Sequence, residues 1–136
     1  MFGKGVYFAD MSSKSANYCF TSRDAPVGVL LLSEVALGTP YRRLQSEYEA
    51  DRSCRKAKAD FTWGIGKTAP DAAGGTTLPG EPSVHVPMGK GGPNPEIKPG
   101  QASSLLYNEY IVYDTSQVRQ RYLLQVKFNH GPPSFY

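Results

Sequence analysis

The sequence predicts a single strand-rich domain of the α+β class. Its 136 residues are enough for one hydrophobic core but not comfortably enough for two. Nine tyrosines and six phenylalanines favour strands, and 14 glycines with 11 prolines favour turns over long helices. We therefore expect one domain, or part of one, with more strands than helices.

A short helix is predicted near the amino terminus. Ser12 or Ser13 can act as its N-cap, because a serine hydroxyl accepts the free amide hydrogens of a first helical turn. From this cap the helix is expected to run through Asn17, Tyr18 and Cys19. The helix would thus follow a glycine-rich start of the chain.

An apolar, partly β-branched stretch covers residues 27–37. This composition predicts a buried strand, although periodicity alone leaves a helix open. Gly28 lies near its start, and Gly38 and Pro40 follow it.

Residues 64–100 are rich in residues that interrupt regular structure. They hold nine of the 14 glycines and seven of the 11 prolines. We therefore expect a long loop here. In a compact chain such a loop usually borders a site or is disordered.

Two further strands are predicted over residues 105–113 and 122–128, because both segments are rich in aromatic and aliphatic side chains. Residues 114–121 are expected to join them by a turn or a single helical turn. In the second strand, alternation places one apolar row on a single face: Leu124, Val126 and Phe128.

A carboxylate stands in the first of these two strands. The period of two places Glu109 in one row with Tyr107, Ile111 and Tyr113. A charged group in such a row loses hydration free energy unless it faces a cleft or meets hydrogen-bond donors. Glu109 is therefore a candidate site residue. The alternative is a glutamate on the wet face of an edge strand.

The charge balance gives little support for a nucleic-acid site. The formal net charge is +3, and residues 1–70 hold all of the excess, with ten basic against seven acidic residues. Most of it comes from Arg52, Arg55, Lys56 and Lys58, a run that is more typical of a solvated face than of phosphate contacts.

Several other kinds of site are excluded by the pattern. Cys19 and Cys54 form no Cys-x-x-Cys pair, and His85 and His130 are distant from both in the sequence, so no zinc site is predicted and two reduced thiols are expected. Both histidines lie beside proline-rich segments, which are poor supports for the base of a catalytic triad.

Nucleotide-binding loops and membrane segments are also absent from the pattern. The Gly-Lys-Thr sequence at residues 66–68 lacks the earlier glycine of a phosphate-binding loop, since Phe61 stands there, and no Gly-x-Gly-x-x-Gly is complete. No stretch approaches the roughly 20 apolar residues of a membrane span. Residues 1–10 lack the build of a secretory signal, so a soluble intracellular protein is expected.

Three blocks of sequence together resemble one known family. They are FGKGVYFADMSSKSANYC at residues 2–19, LSEVALG at residues 32–38 and SLLYNEYIVYD at residues 104–114. They are similar to the catalytic domain of the poly(ADP-ribose) polymerases, most of all to its nuclear, DNA-damage-responsive members. Shorter matches follow in the same order, at residues 64–71, 86–89 and 122–128.

The resemblance implies a role for each of five residues. Tyr7 and Tyr18 would sandwich the nicotinamide ring of NAD, and Ser15 would hydrogen-bond to its carboxamide. Glu109 would be the catalytic glutamate, which accepts a hydrogen bond from the 2′-hydroxyl of the nicotinamide ribose, and Tyr7 matches the tyrosine of the family's His-Tyr-Glu triad. Lys14 would lie near that ribose and the acceptor. No metal is implied.

The resemblance also implies a fold, the split antiparallel β-sandwich of ADP-ribosyltransferases with one short helix. The family's triad histidine lies in a His-Gly-Ser strand upstream of the first block, and neither histidine of this chain precedes Gly-Ser. We therefore expect residues 1–136 to be an N-terminally truncated, partial catalytic domain with a long loop at about residues 64–100. Low stability or aggregation is expected from apolar surface that the missing strands would cover.

The implied activity is NAD-dependent transfer of ADP-ribose to proteins, including the enzyme itself, or to a growing ADP-ribose chain, with release of nicotinamide. Glu109 suggests chain elongation. The alternative is an incomplete fragment that at most binds a ligand or a partner, so weak or absent transferase activity is expected of the isolated chain. DNA would be bound only through domains outside this chain, no membrane partner is expected, and the implied location is the nucleus.

Overall fold

The computed structural model describes residues 1–131. The strands are β1 (Val6–Phe8), β2 (Val27–Val35), β3 (Pro40–Arg43), β4 (Phe61–Gly64), β5 (Thr68–Pro70), β6 (Thr76–Leu78), β7 (Glu81–Val86), β8 (Gly91–Pro93), β9 (Glu109–Val112) and β10 (Val118–Lys127). The helices are α1 (Ser12–Ala16) and α2 (Ala50–Lys56). The α+β class is confirmed, with two short α-helices in the described part where one was expected.

The central sheet has the strand order β1, β9, β4, β3. β9 lies antiparallel between β1 and β4, with Ile111 opposite Tyr7 and Glu109 opposite Gly64. β3 is instead parallel to β4, because residues 44–60, which contain α2, carry the chain back to the starting edge. The first strand of the chain therefore lies beside the strand of Glu109.

The hydrophobic core lies against β9. Phe2, Ala50, Leu105 and Ile111 form one buried cluster. Gly64 makes room for it, since a Cβ at this position would lie 2.8 Å from Leu105 and 2.9 Å from the Phe2 ring. Burying one large apolar side chain completely contributes about 1.5–3 kcal/mol to stability. This packing holds β9 in place.

β9 itself is shorter than expected. The predicted strand at residues 105–113 forms a regular ladder only over Glu109–Val112. Leu105 is used for the core, and the amide hydrogen of Lys67 bonds to its carbonyl oxygen at 2.9 Å. The segment before Glu109 is thus fixed by packing and single hydrogen bonds.

β2 and β10 form a separate antiparallel sheet of two strands. The strand predicted over residues 27–37 is confirmed for Val27–Val35, but its expected burial is wrong. Leu31 and Leu123 lie opposite each other in this ladder and are 57% and 70% exposed. Within residues 1–131 no third strand joins this sheet, and the face that carries Val29, Leu31 and Leu123 is exposed.

β10 begins earlier than expected and contains a bulge. The segment predicted as a turn over residues 114–121 forms a 3-10 turn at Thr115–Gln117, and β10 then starts at Val118. The ladder shifts register between Gln120 and Tyr122.

Arg121 lies at this bulge and connects three strands. Its guanidinium donates hydrogen bonds to Glu34 of β2 and to Glu81 of β7, with N–O distances of 2.5 Å to each. Arg121 thereby ties the β6–β7 hairpin to the β2–β10 sheet.

The prediction of one long loop over residues 64–100 is wrong, because short strands form within this segment. The segment contains two small antiparallel pairs, β5 with β8 and β6 with β7. Its glycines permit close packing: a Cβ on Gly89 would lie 2.0 Å from the Asp71 carbonyl oxygen. Pro70 and Pro93 lie at the ends of short, two-stranded ladders, where a missing amide hydrogen costs little.

α1 starts without the predicted serine cap. Its N-cap residue is Met11, no side-chain hydrogen bond caps it, and the Lys14 amide hydrogen bonds to the Met11 carbonyl oxygen at 3.0 Å. The helix then tightens into a 3-10 turn at Asn17–Cys19. The expected helical segment is therefore present, but Ser12 and Ser13 do not cap it.

The basic run at residues 52–58 lies on and just after α2 and is exposed. Arg52 pairs with Glu49 at 2.6 Å, and Arg55 pairs with Asp51 at 2.9 Å. Carboxylates of the same helix region thus neutralise part of the run, as expected for a solvated face. In the described part of the chain, no helix is long and apolar enough to cross a membrane.

Candidate active site

Glu109 is the buried carboxylate around which the candidate site is built. It is the first residue of β9, and only 3% of it is exposed. Its Oε1 lies 2.6 Å from the ammonium nitrogen of Lys14. Its Oε2 is buried and has no hydrogen-bond partner among residues 1–131. One oxygen is therefore held by a cation, and the other can accept a further hydrogen bond.

Lys14 connects the helix α1 to β9 and to an aromatic ring. Its ammonium nitrogen lies 5.8 Å from the centre of the Tyr18 ring, close enough for a cation–π contact. Partial burial favours the neutral amine, but the hydrogen bond and the charge of Glu109 outweigh it, so the pKa of Lys14 lies above its ordinary value. The Lys14 ammonium is thus charged at neutral pH.

Tyr7 lies on β1 and shares the sheet face of Glu109. It pairs with Ile111, two residues beyond Glu109 on the neighbouring strand. Its hydroxyl donates to the Gly3 carbonyl oxygen and accepts from the Phe2 amide, each at 2.9 Å. These bonds fix the ring, which remains 42% exposed and can offer a face to a ligand.

Ser15 and Tyr18 complete the predicted set. Ser15 follows Lys14 on α1 and is half-buried, and Tyr18 lies on the next turn and is 66% exposed. The structure brings Lys14 against both Glu109 and Tyr18. It places Tyr7 one strand away from Glu109, and it places Ser15 beside Lys14 along the helix.

A buried polar network behind Glu109 is not predicted by the sequence pattern. Asn108 and Tyr110, on either side of Glu109, both donate to the Asp10 carboxylate at 2.8 Å. Burial, together with the Asp10 carboxylate, raises the pKa of the Tyr110 hydroxyl. The only feature of the sequence that indicates this network is the pair of hydrogen-bonding residues Asn108 and Tyr110 on either side of Glu109.

Other candidate ligands are spread out. Cys19 and Cys54 are both free thiols, as expected, and Cys54 is buried. His85 lies on β7 and His130 follows β10, and both are exposed. Within residues 1–131, no three His, Cys, Asp or Glu side chains converge as a metal site would require.

The comparison with known protein families gives one decisive match. The model of the poly(ADP-ribose) polymerase catalytic domain matches residues 1–128. The chain belongs to the poly(ADP-ribose) polymerase catalytic domain family. This confirms the resemblance stated above and agrees with the mostly β architecture of the chain.

Individual members of the poly(ADP-ribose) polymerase family are about half identical to this chain. Poly [ADP-ribose] polymerase 2 of Arabidopsis thaliana is 52% identical over 96% of the chain, which corresponds to 19% of that relative. Poly [ADP-ribose] polymerase 1 of Gallus gallus is 51% identical over 96% of the chain and 12% of the relative. Poly [ADP-ribose] polymerase 2 of Homo sapiens is 50% identical over 95% of the chain and 21% of the relative. The chain thus spans about a fifth or less of these relatives.

Proposed function

We propose that this chain carries the glutamate and nicotinamide side of an NAD-dependent ADP-ribosyltransferase site. The reaction would transfer ADP-ribose from NAD to a protein side chain or to another ADP-ribose, with release of nicotinamide. The observation that carries the proposal is the buried Glu109 carboxylate, in which Lys14 binds Oε1 and leaves Oε2 without a partner among residues 1–131.

The reaction makes specific demands that this carboxylate meets. The bond between ribose C1′ and the nicotinamide nitrogen breaks, and its electron pair neutralises the pyridinium. The ribose then carries oxocarbenium-like positive charge, which a fixed carboxylate stabilises most in the transition state. An acceptor oxygen forms the new bond to C1′ and loses its proton. Glu109 Oε2 is suited to accept a hydrogen bond from the ribose 2′-hydroxyl or to take that proton.

The aromatic residues are suited to hold the leaving group. Tyr7 and Tyr18 both expose ring surface near the Lys14–Glu109 pair. Stacking a flat cationic ring against each would contribute about 0.5–2 kcal/mol per ring. Ser15, next to Lys14 on α1, would bind the carboxamide. Lys14 would orient Glu109 and the acceptor.

We extend the proposal to acceptors and location. Glu109 supports elongation of ADP-ribose chains as well as modification of proteins, including this one. DNA contacts are assigned to segments of the longer relatives outside the aligned part. The resemblance of residues 2–19 and 104–114 to nuclear members supports a nuclear location.

Binding without transfer is a second candidate function. The observation in its favour is that the two histidines, on β7 and after β10, do not precede Gly-Ser, the motif of the family's triad histidine. Such a chain would bind nicotinamide through its tyrosines but would not break the glycosidic bond.

One assay separates the two candidates. The purified chain and its Glu109→Gln variant are incubated with NAD labelled in the nicotinamide ring, and released nicotinamide and bound nicotinamide are both measured. Release by the wild-type chain that exceeds the Glu109→Gln background by about 100-fold or more supports transfer. Saturable nicotinamide binding with equal release by both proteins would show binding alone.

A further inference from the structure

We propose that Asp10 is a positioning residue for Glu109, which it fixes by binding both neighbours of Glu109 from the opposite face of β9. The proposal rests on the transferase function proposed above, because it assigns Asp10 to the site of that reaction. It concerns the geometry of the Lys14–Glu109 pair and can be measured separately from turnover.

The central observation is that one carboxylate oxygen receives two flanking hydrogen bonds. The side-chain amide of Asn108 and the hydroxyl of Tyr110 both donate to Asp10 Oδ2 at 2.8 Å. Asn108 immediately precedes β9 and Tyr110 is its second residue, so both side chains reach Asp10 while strand alternation directs Glu109 to the other face. Asp10 therefore holds β9 from the face opposite Glu109 and makes no contact with the Glu109 carboxylate itself.

The orientation of the Asn108 amide follows from a second layer of bonds. Its Oδ1 accepts from the backbone amide of Gly66 at 3.0 Å and from Asn94 Nδ2 at 2.9 Å. A backbone amide can only donate, so the oxygen of the Asn108 amide must face Gly66 and the NH₂ group must face Asp10. Asn94 also donates to the Gly66 carbonyl oxygen at 2.7 Å. Asn94 and Asn108 are both buried, so each lost bond is costly.

The ring of Tyr110 is held by stacking as well. It stacks with the rings of Phe61 and Trp63 of β4, with ring centres 6.2 Å and 5.9 Å away and interplanar angles of 22° and 17°. The donor to Asp10 therefore belongs to a packed element. Displacing Asp10 would leave buried donors on Asn108 and Tyr110 without their acceptor.

Asp10 also acts on the other partner of the ion pair. It lies in the short connection between β1 and α1, and α1 carries Lys14. Through Asn108 and Tyr110 it sets the position of Glu109, and through the chain it sets the start of the helix that presents Lys14. A single side chain thus ties the two elements that meet in the 2.6 Å contact between Lys14 and Glu109.

The test uses Asp10→Ala and Asp10→Asn, with Asp24→Asn, an exposed carboxylate, as the matched control. We expect Asp10→Ala to lower kcat for nicotinamide release by about 10- to 100-fold, since small displacements of a catalytic group have effects of this size. KM for NAD should change by less than about threefold. Asp10→Asn keeps an oxygen acceptor and should recover much of the loss, and Asp24→Asn should match the wild type.

Two outcomes would contradict the positioning role. The first is that Asp10→Ala lowers kcat and the affinity for NAD by the same factor, in proportion to the fraction of protein that is unfolded. The second is a further fall in rate when Asp10→Ala is added to Glu109→Gln, because a residue that acts through Glu109 has no effect once Glu109 is absent.

A structural readout covers the case in which the chain does not turn over NAD. The ammonium protons of Lys14 are followed by NMR in ¹⁵N-lysine-labelled wild-type chain, Asp10→Ala and Asp24→Asn. If these protons exchange with water at least about tenfold faster in folded Asp10→Ala than in the other two proteins, the positioning role is supported. This holds even if no variant releases nicotinamide, because the absence of release would overturn only the transferase function. Unchanged exchange would overturn the proposal for Asp10.

Discussion

The ammonium nitrogen of Lys14 lies 2.6 Å from Oε1 of Glu109, and this contact joins α1 to β9. Glu109 is almost fully buried, whereas Lys14 is about one-fifth exposed along its side chain. The cation is therefore the one partner of the pair that solvent can reach, and the carboxylate depends on it for charge compensation.

Replacing Lys14 by methionine should destabilise the fold and reduce activity. The change keeps the length of the side chain but leaves the buried Glu109 carboxylate without its cation, at a cost of about 1–3 kcal/mol. Lys14→Arg retains the charge and serves as the control. Urea unfolding measures the loss, and equal midpoints for Lys14→Met and wild type would contradict it.

Replacing Gly66 by alanine should disturb the site from the backbone side. A Cβ on Gly66 would lie 2.0 Å from the carbonyl carbon of Tyr107, immediately before Asn108. Relief requires the start of β9 to move, which we expect to cost about 1–3 kcal/mol. Gly92→Ala is the matched control, since nothing lies within 4 Å of a Cβ there. Similar unfolding free energies for the two variants would show that the contact is unimportant.

Tyr18→Ala should weaken binding of nicotinamide. One stacked ring contributes about 0.5–2 kcal/mol of binding free energy, so its loss corresponds to roughly a 2- to 30-fold rise in Kd. Tyr18→Phe should bind like wild type, because the ring face is retained. Tyr48→Ala removes another exposed tyrosine, remote in sequence, and is the control. Calorimetric titration gives the values, and an unchanged Kd for Tyr18→Ala would argue against the sandwich.

The chain should lose stability in alkaline solution. Burial raises the pKa of Tyr113 from 10.0 to about 12, and its hydroxyl bonds to Thr62 and to the Phe2 carbonyl oxygen at 2.8 Å. A folded pKa above the unfolded one gives stability that is complete below pH 10 and is lost between pH 10 and 12. Tyr110 and Lys14, with pKa values also raised, contribute in the same direction.

The measurement for this pH effect is the denaturation midpoint at several pH values between 9 and 12. Tyr113→Phe cannot ionise, so its midpoint should fall less steeply over this range than that of the wild type. Parallel curves for the two proteins would exclude a contribution from Tyr113.

The open face of the β2–β10 sheet should promote self-association. Leu31 and Leu123 are opposite each other on this face, and large exposed apolar patches favour aggregation. Leu123→Lys should lower the aggregation rate in light scattering with little effect on unfolding. Leu30→Lys, on the other face of β2, should reduce stability instead. Unchanged scattering for Leu123→Lys would locate the association elsewhere.

The sequence predicts well those features that depend on local pattern or on a long match. Alternation identifies Glu109 as an unusual carboxylate, and the matching blocks supply Tyr7, Lys14, Ser15 and Tyr18 as site candidates. The structure brings Lys14 against Glu109 and Tyr18. The contacts of a bound nicotinamide remain a prediction.

Features that depend on distant contacts are not visible in the sequence. Asp10 reaches Asn108 and Tyr110 across about 100 residues of chain, so no spacing rule reveals their bonds. Glycine content was misleading for a related reason: Gly89 is needed for close approach to Asp71 in a folded segment, and composition cannot distinguish that use from a loop. The sequence overestimates the burial of β2, because an apolar stretch does not show what lies against it.

The bulge at Arg121 has a consequence for how this strand can vary. Gln120 and Tyr122 pair with Ser33 and Leu32, which are adjacent on β2, so residue 121 adds length without changing the side-chain direction on either side. A homologue without this residue would keep both halves of the ladder and would lose only the arginine that holds Glu34 and Glu81. Single-residue gaps between relatives are therefore tolerable at this point of β10, whereas the same gap two residues further on would turn the apolar row of Leu124 and Val126 to the opposite face.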